Sequence, residues 1–185
     1  MDIIRFDQVA RLLERGRVGI MPTDTVYGLV ALAADPHAVG RFYALKNREQ
    51  KPGTLIAANE SQLIHLGVPQ TEIDKVSRWW PNPLSAVLPV DGHGYLHQHV
   101  GTLAMRITAD IQLAELLHSV GPIITSSANQ PGQPPATTIE EAIAYFGDDV
   151  DFYVDGGTIR HVLPSTIVRP TADGVEVLRQ GGVTL

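Results

Sequence analysis

The feature that most restricts the fold is a set of short apolar runs that follow one another with no helix between them. "RVGIMPT" (17–23) is parted from "VYGLVALAA" (26–34) by two residues. "LSAVLPV" (84–90) and "TLAMRIT" (102–108) are joined by the turn-rich "DGHGYLHQHVG", and "DFYVD", "STIV" and "VEVLRQ" close the chain. Parallel neighbours need a crossover of a dozen or more residues, whereas antiparallel neighbours need only a turn. A purely parallel βαβ fold is therefore excluded. Helical patterns lie between these runs, so the sequence predicts an α/β (α+β) mixed fold, a twisted sheet with flanking helices.

The helix signals are local. Val9, Leu12 and Leu13 share a face of a helix expected over Asp7–Arg15, with Gly16 to stop it. Asp35-Pro36 pairs an N-cap residue with a proline at the first helical position, and Val39, Phe42, Tyr43 and Lys46 then line one side. "ESQLIHLG" reads as a short helix closed by Gly67. Thr71 with Asp74 reads as a capping box opening a helix that ends before Pro81, and Thr138 with Glu141 as another. Asp110 caps a helix reaching Val120.

The 185 residues suit a single domain over 1–185, long enough to bury its own core. There are no cysteines, which excludes disulfides and thiolate metal sites and fits a cytoplasmic protein. No run approaches the roughly 20 apolar residues of a membrane span. The net charge of −6 argues against a global electrostatic hold on nucleic acid and leaves room for a local basic groove.

Four segments carry groups capable of chemistry. In "YALKNREQKPGTLIAAN" (43–59), Lys46 and Arg48 are two apart, with Lys51 close by, and the chain has three lysines in all. Past a helix end near Leu45, residues two apart project to the same side. The cations then either complement the helix C-terminus or flank an anion. In "PIITSSANQPGQPP" (122–135), Ser127 and Asn129 repeat that spacing at a strand end. They suit phosphate or ribose oxygens, or a turn bonded to its own backbone. In "MPTDTVYGLV", Thr23 and Thr25 alternate with Asp24, ordinary residues for a strand and turn. Arg106 interrupts the apolar "TLAMRIT"; it faces solvent, pairs with a buried group, or grips a carboxylate. His93, His97 and His99 sit in a glycine-rich loop without convincing ligand spacing, so no metal site is predicted. Neither GxxxxGK[ST] nor GxGxxG occurs.

In order along the chain, "VGIMPTDTVYGL", "KNREQKPGTLIAAN", "RWWPNPLSAVLP", "LAMRIT", "PIITSSANQPG", "DGG", "PSTIV" and "VLRQGGV" resemble the motifs of the YrdC family. The resemblance covers nearly the whole chain in its single-domain form. Pro131-Gly132 stands where the family usually has Ser-Gly, and Asn82 replaces a motif glycine. The loop after Arg48 is one residue shorter, and Ile56 occupies the place of a histidine found in some members. The K-x-R and S-x-N groups are intact.

The resemblance implies a YrdC/RibB-like sheet with a concave basic groove. It also implies an L-threonylcarbamoyladenylate synthase, a nucleotidyltransferase joining L-threonine, bicarbonate or CO2 and ATP, with Mg2+, and releasing pyrophosphate. The product serves N6-threonylcarbamoyladenosine modification of tRNA through a separate transferase complex. Residue by residue, it implies Lys46, Arg48, Ser127 and Asn129 as the catalytic and ATP-holding set, with Lys51, Thr102 and Arg179 as further nucleotide contacts. Thr25, Tyr27, Arg106, Thr125 and Ser165 become the threonine pocket, with Arg106 on the carboxylate and Tyr27 shaping a wall. The alternatives are an RNA-binding module without this activity, or a paralogue with a different acyl acceptor.

Overall fold

A computed structural model describes residues 2–47, 51–160 and 163–185. Its elements in chain order are β1 (Ile3–Ile4), α1 (Val9–Leu13), β2 (Gly19–Pro22), β3 (Tyr27–Leu32), α2 (Pro36–Lys46), β4 (Thr54–Ala57), α3 (Glu60–His65), α4 (Gln70–Ile73), β5 (Leu84–Pro89), β6 (Thr102–Ile107), α5 (Ile111–Val120), β7 (Ile123–Ser127), α6 (Ile139–Phe146), β8 (Phe152–Val154), β9 (Thr166–Thr171) and β10 (Gly174–Arg179). Short 3-10 turns cover Phe6–Gln8 and Ser77–Trp79.

The described strands form one ten-stranded sheet in the order β1-β8-β2-β3-β7-β4-β6-β5-β9-β10. The successive runs pair antiparallel as their short connections require: β2 with β3, β5 with β6, β9 with β10. Parallel pairs arise where the chain returns from elsewhere: β4 with β6, β5 with β9, β8 with β1 and β2. The mixed α/β sheet read from the sequence is the sheet observed.

Period-two alternation splits the core into two layers. On one face Tyr27, Leu29, Leu55, Met105 and Ile124 pack with Val39 and Phe42 of α2 and Phe146 of α6. On the other, Val30, Ile56, Ile123 and Phe152 pack with Val9 and Leu13 of α1 and Leu113 and Leu117 of α5. Each large side chain so buried contributes roughly 1.5–3 kcal/mol. No described helix is long and apolar enough to cross a membrane.

The caps explain the helix boundaries. Asp35 Oδ1 accepts from the amides of His37 and Ala38 at 2.9 and 3.1 Å, and Asp110 Oδ1 from Leu113 at 2.8 Å. Thr138 Oγ1 accepts from the Glu141 amide at 3.3 Å, while the Glu141 carboxylate reaches one residue further back, to the Thr137 amide at 2.7 Å.

Two expectations need correction. The helix over Asp7–Arg15 is a 3-10 turn running into five α residues. The helix expected to be capped by Thr71 begins two residues earlier, with Pro69 as the N-cap, because the Pro69 carbonyl accepts from Glu72 and Ile73. Asp74 is bonded instead by the Gln70 side chain at 2.7 Å, and the segment to Trp80 breaks into α4 and a 3-10 turn.

Candidate functional site

The α1–α5 layer covers only part of its sheet face. Beyond its edge the same alternation presents polar groups. On β7, Ile123 enters the apolar layer and Thr125 and Ser127 do not; on β4, Ile56 is covered and Thr54 is not. On β6, Ala104 and Arg106 share that uncovered face. These residues floor a cavity of about 240 Å³. Its walls are the β2–β3 turn (Thr23, Thr25, Val26), Pro52-Gly53, Pro135, the Pro164-Ser165 segment and Arg179. Gly28 is required here: a Cβ would lie 2.5 Å from Thr125 Oγ1 and 3.1 Å from Thr23 Cγ2.

The β2–β3 turn is shaped by its own threonine. Thr23 Oγ1 donates to the Val26 carbonyl at 2.7 Å and accepts from the Thr25 amide at 3.3 Å, a side-chain-closed turn. Asp24 then points across the sheet to Arg106 on β6, three strands from β3. Arg106 Nε lies 2.9 Å from Asp24 Oδ2, and Nη2 lies 2.5 Å from Oδ1 and 3.5 Å from Thr25 Oγ1. Both charged side chains are buried, at 4% and 7% exposure. Of the three possibilities for Arg106, pairing with a buried group is realised.

Tyr27 does not line the cavity. It is fully buried; its hydroxyl donates to the Gly157 carbonyl at 2.8 Å and accepts from the Gly156 amide at 2.7 Å. Burial pushes its phenol pKa up. It therefore braces the "DGG" turn behind the site.

Lys46 ends α2, as expected, with Asn47 in the left-handed region (φ 44°). The lysine is almost fully buried, and Nζ donates to the Ser127 carbonyl at 2.8 Å, the Asn129 carbonyl at 2.5 Å and Asn129 Oδ1 at 3.0 Å. Ser127 Oγ donates to Asn129 Oδ1 at 2.7 Å. The K-x-R lysine and the S-x-N pair thus form one cluster. Ser127 and Asn129 meet through a tight turn, with the Asn129 amide on the Ser127 carbonyl at 3.0 Å, rather than through extended chain. Ser127 opens to the cavity, whereas Lys46 and Asn129 stand behind it.

The remaining candidates divide. Thr25, Arg106, Thr125 and Ser165 are gathered around the cavity. Arg179 reaches its rim, Nη2 donating to the Ser165 carbonyl at 2.7 Å. Desolvation, and then the charge of Arg106, lower the Arg179 pKa, so the two guanidiniums sense each other. Lys51 is exposed, its amide donating to Gln98 Oε1 at 2.9 Å, and it is not a lining residue. Thr102 opens β6 on the Arg106 face, outside the lining. Arg48 lies outside the described residues. His97 is tied within its own loop, Nε2 donating to the Gly92 carbonyl at 2.9 Å and Nδ1 accepting from the Gly101 amide at 3.0 Å, and no group of three or more His, Asp or Glu among the described residues is placed to hold a metal.

Residues 11–181 match the family described as telomere recombination, the Sua5/YciO/YrdC domain. The chain belongs to this family. Threonylcarbamoyl-AMP synthase of Pseudomonas entomophila is 35% identical over 183 residues, covering 96% of this chain and 97% of its own. The enzyme of that name from Vibrio campbellii is 30% identical, covering 95% and 98%. Among solved structures, Pyrococcus abyssi Sua5 in complex with L-threonine aligns with a TM-score of 0.84 and 31% identity; the alignment covers 96% of this chain and 54% of that one. The chain therefore spans about half of that longer protein. Escherichia coli YciO, at 23% identity, shares the fold with a TM-score of 0.80.

Within this Sua5/YciO/YrdC frame, the residue that sequence reading passed over is Asp24, taken there as an ordinary turn aspartate. The available signal was Arg106 itself, since an arginine in a buried strand needs an acid. Thr54, Gly28 and Pro164 were also missed as lining residues; their contribution is shape and backbone, which no motif announces.

Proposed function

We propose that this protein is an L-threonylcarbamoyladenylate synthase, transferring the adenylyl group of ATP to the carbamate of L-threonine. The observation that carries the reading is the cavity lining: a buried arginine and the hydroxyls of Thr25, Thr125 and Ser165, with a second guanidinium at the rim. That set suits a small amino acid, its carboxylate on Arg106 and its hydroxyl among the threonines and serine. Relatives named as this synthase match over nearly their full length, which supports the assignment.

The chemistry asks for positioning and charge. The threonine amine takes up CO2, and the carbamate oxygen attacks the α-phosphorus, breaking its bond to the β-phosphate bridging oxygen; pyrophosphate departs. Two anions must approach one another, so fixed cations are the main contribution a protein can make. In this reading Lys46, Arg48, Ser127 and Asn129 hold the triphosphate, with Lys51, Thr102 and Arg179 around it. Lys46 would exchange one of its carbonyl partners for phosphate. The cavity is small for a nucleotide, since ligand pockets commonly run about 300–1,000 Å³. A neighbouring groove of about 530 Å³ shares Val26, Pro135 and Pro164 with it and adds the room ATP needs.

Mg2+ would arrive as part of the nucleotide substrate, held by phosphate oxygens and water. The donors at the cavity are hydroxyls and guanidiniums, and the nearby Asp24 carboxylate is committed to Arg106, which suits an anion rather than a resident cation. The product would pass in the cytoplasm to a separate complex that modifies tRNA. The test is pyrophosphate release from ATP and bicarbonate with L-threonine, L-serine or no amino acid. Release dependent on L-threonine is expected; release indifferent to it would sink the assignment.

A further inference from the structure

Arg106 is held by one edge only. Asp24 takes its Nε and Nη2 donors, and Nη1 has no protein acceptor among the described residues. No buried side-chain polar atom there lacks a partner, so Nη1 is open to solvent. Arg106 lines the cavity and Asp24 does not, so Asp24 grips the guanidinium from behind and Nη1 remains for a ligand. Charge follows the same geometry. Arg106 and Arg179 line one cavity, desolvation and then the Arg106 charge lower the Arg179 pKa, and Arg179 makes no ion pair among the described residues. Asp24 balances one of the two cations, leaving this part of the cavity with a net charge of about +1 at neutral pH.

We infer that Asp24 is a specificity-determining residue: it orients Arg106 and limits the local charge so that the subsite takes a single carboxylate and disfavours phosphate. The inference rests on the synthase reading, and it gives that reading something it needs. The proposed reaction releases pyrophosphate beside a pocket that must refill with an amino acid, and an uncompensated pair of arginines would hold a phosphate dianion. Removing the Asp24 charge favours every anion, but a dianion gains by one extra unit. Over a separation of roughly 8 Å at an effective dielectric constant near 20, that extra unit is worth about 30-fold in binding.

The experiment is calorimetric titration of L-threonine at fixed ionic strength, repeated over a series of inorganic phosphate concentrations. It is run on the wild-type protein, Asp24→Asn, Asp24→Glu and Arg179→Gln. The readout is the phosphate concentration that halves threonine binding, which reports phosphate only where it competes with threonine. Asp24→Asn should lower that concentration at least 10-fold, and Asp24→Glu should stay within threefold of wild type. Arg179→Gln changes an exposed hairpin position, so it keeps the test alive if Asp24→Asn does not fold; it should raise the concentration by a similar factor. Unmoved values in Asp24→Asn, or in Arg179→Gln where that variant decides alone, overturn the inference while leaving the synthase reading intact. Failure of the wild-type protein to bind L-threonine overturns both.

Discussion

Replacing Lys46 with Met keeps the buried aliphatic stem and deletes the ammonium. Three oxygens then lose the ammonium as a donor: the Ser127 and Asn129 carbonyls and Asn129 Oδ1, of which the first keeps the Asn129 amide and the last keeps Ser127 Oγ. Hydrogen bonds to a charged group contribute roughly 1.5–3 kcal/mol each, about 4.5–9 kcal/mol for three. Against this stands the burial of the ammonium, which costs several kcal/mol and is relieved by the substitution. The difference is a net destabilisation of about 3 kcal/mol. For a domain of this size that lowers Tm by about 6–12 °C. With a urea slope near 2 kcal/mol/M it moves the denaturation midpoint by about 1.5 M. Urea titration followed by circular dichroism reads it directly. A midpoint within 0.25 M of wild type would show that the ammonium does not hold the Ser127–Asn129 turn, and the account of this cluster would be wrong. Threonine-dependent turnover should fall by roughly 100-fold or more in the same variant, the scale of losing one transition-state charge donor.

Two further outcomes follow from the geometry. Gly28→Ala places a methyl 2.5 Å from Thr125 Oγ1, so it should raise the KM for L-threonine at least 10-fold while destabilising the fold by about 1–3 kcal/mol; unchanged KM would mean that Thr125 is not in the amino-acid site. Burial alone would raise the Asp151 pKa, but the Val18 amide and the Arg41 and Arg17 guanidiniums outweigh it and hold the pKa below the ordinary 3.8. The stability this carboxylate gives is present above pH 3.8 and lost as pH falls through its lower folded value. Asp151→Asn should therefore flatten the acid limb of the stability curve below about pH 4, measured by urea titration at each pH.

Much of this fold was readable because its signals are local. The short connections between β2 and β3 and between β9 and β10 force antiparallel pairs, and Asp35-Pro36, Asp110 and Thr138 mark helix starts through single side chains. The failure at Thr71 has the same origin. The upstream Pro69 supplied a carbonyl to the first turn, and Gln70 took the carboxylate that the motif assigned to Thr71. Strand order was not readable, since β9 returning beside β5 depends on side-chain fit across the sheet. At the site, the Lys46–Ser127–Asn129 grouping was foreseen from spacing and resemblance. Its geometry was not, because the expected extended chain is a turn and the lysine stands behind the wall it supports. Asp24 was passed over for a related reason. A turn aspartate looks like any other until the sheet order brings β6 within its reach.

Among the described strands β10 is the outermost of its edge and pairs only with β9, and Arg179 is its last residue. Elements of this kind open without unfolding the rest of the domain. One of the two guanidiniums at the cavity thus has the local stability of a frayed edge, while the other, Arg106, has that of an interior strand. A ligand that engages both ties the edge to the interior. Amide hydrogen exchange in β10 would then slow on ligand binding while the core strands stay as they were, and the occupancy of the cavity would be read from the far margin of the sheet.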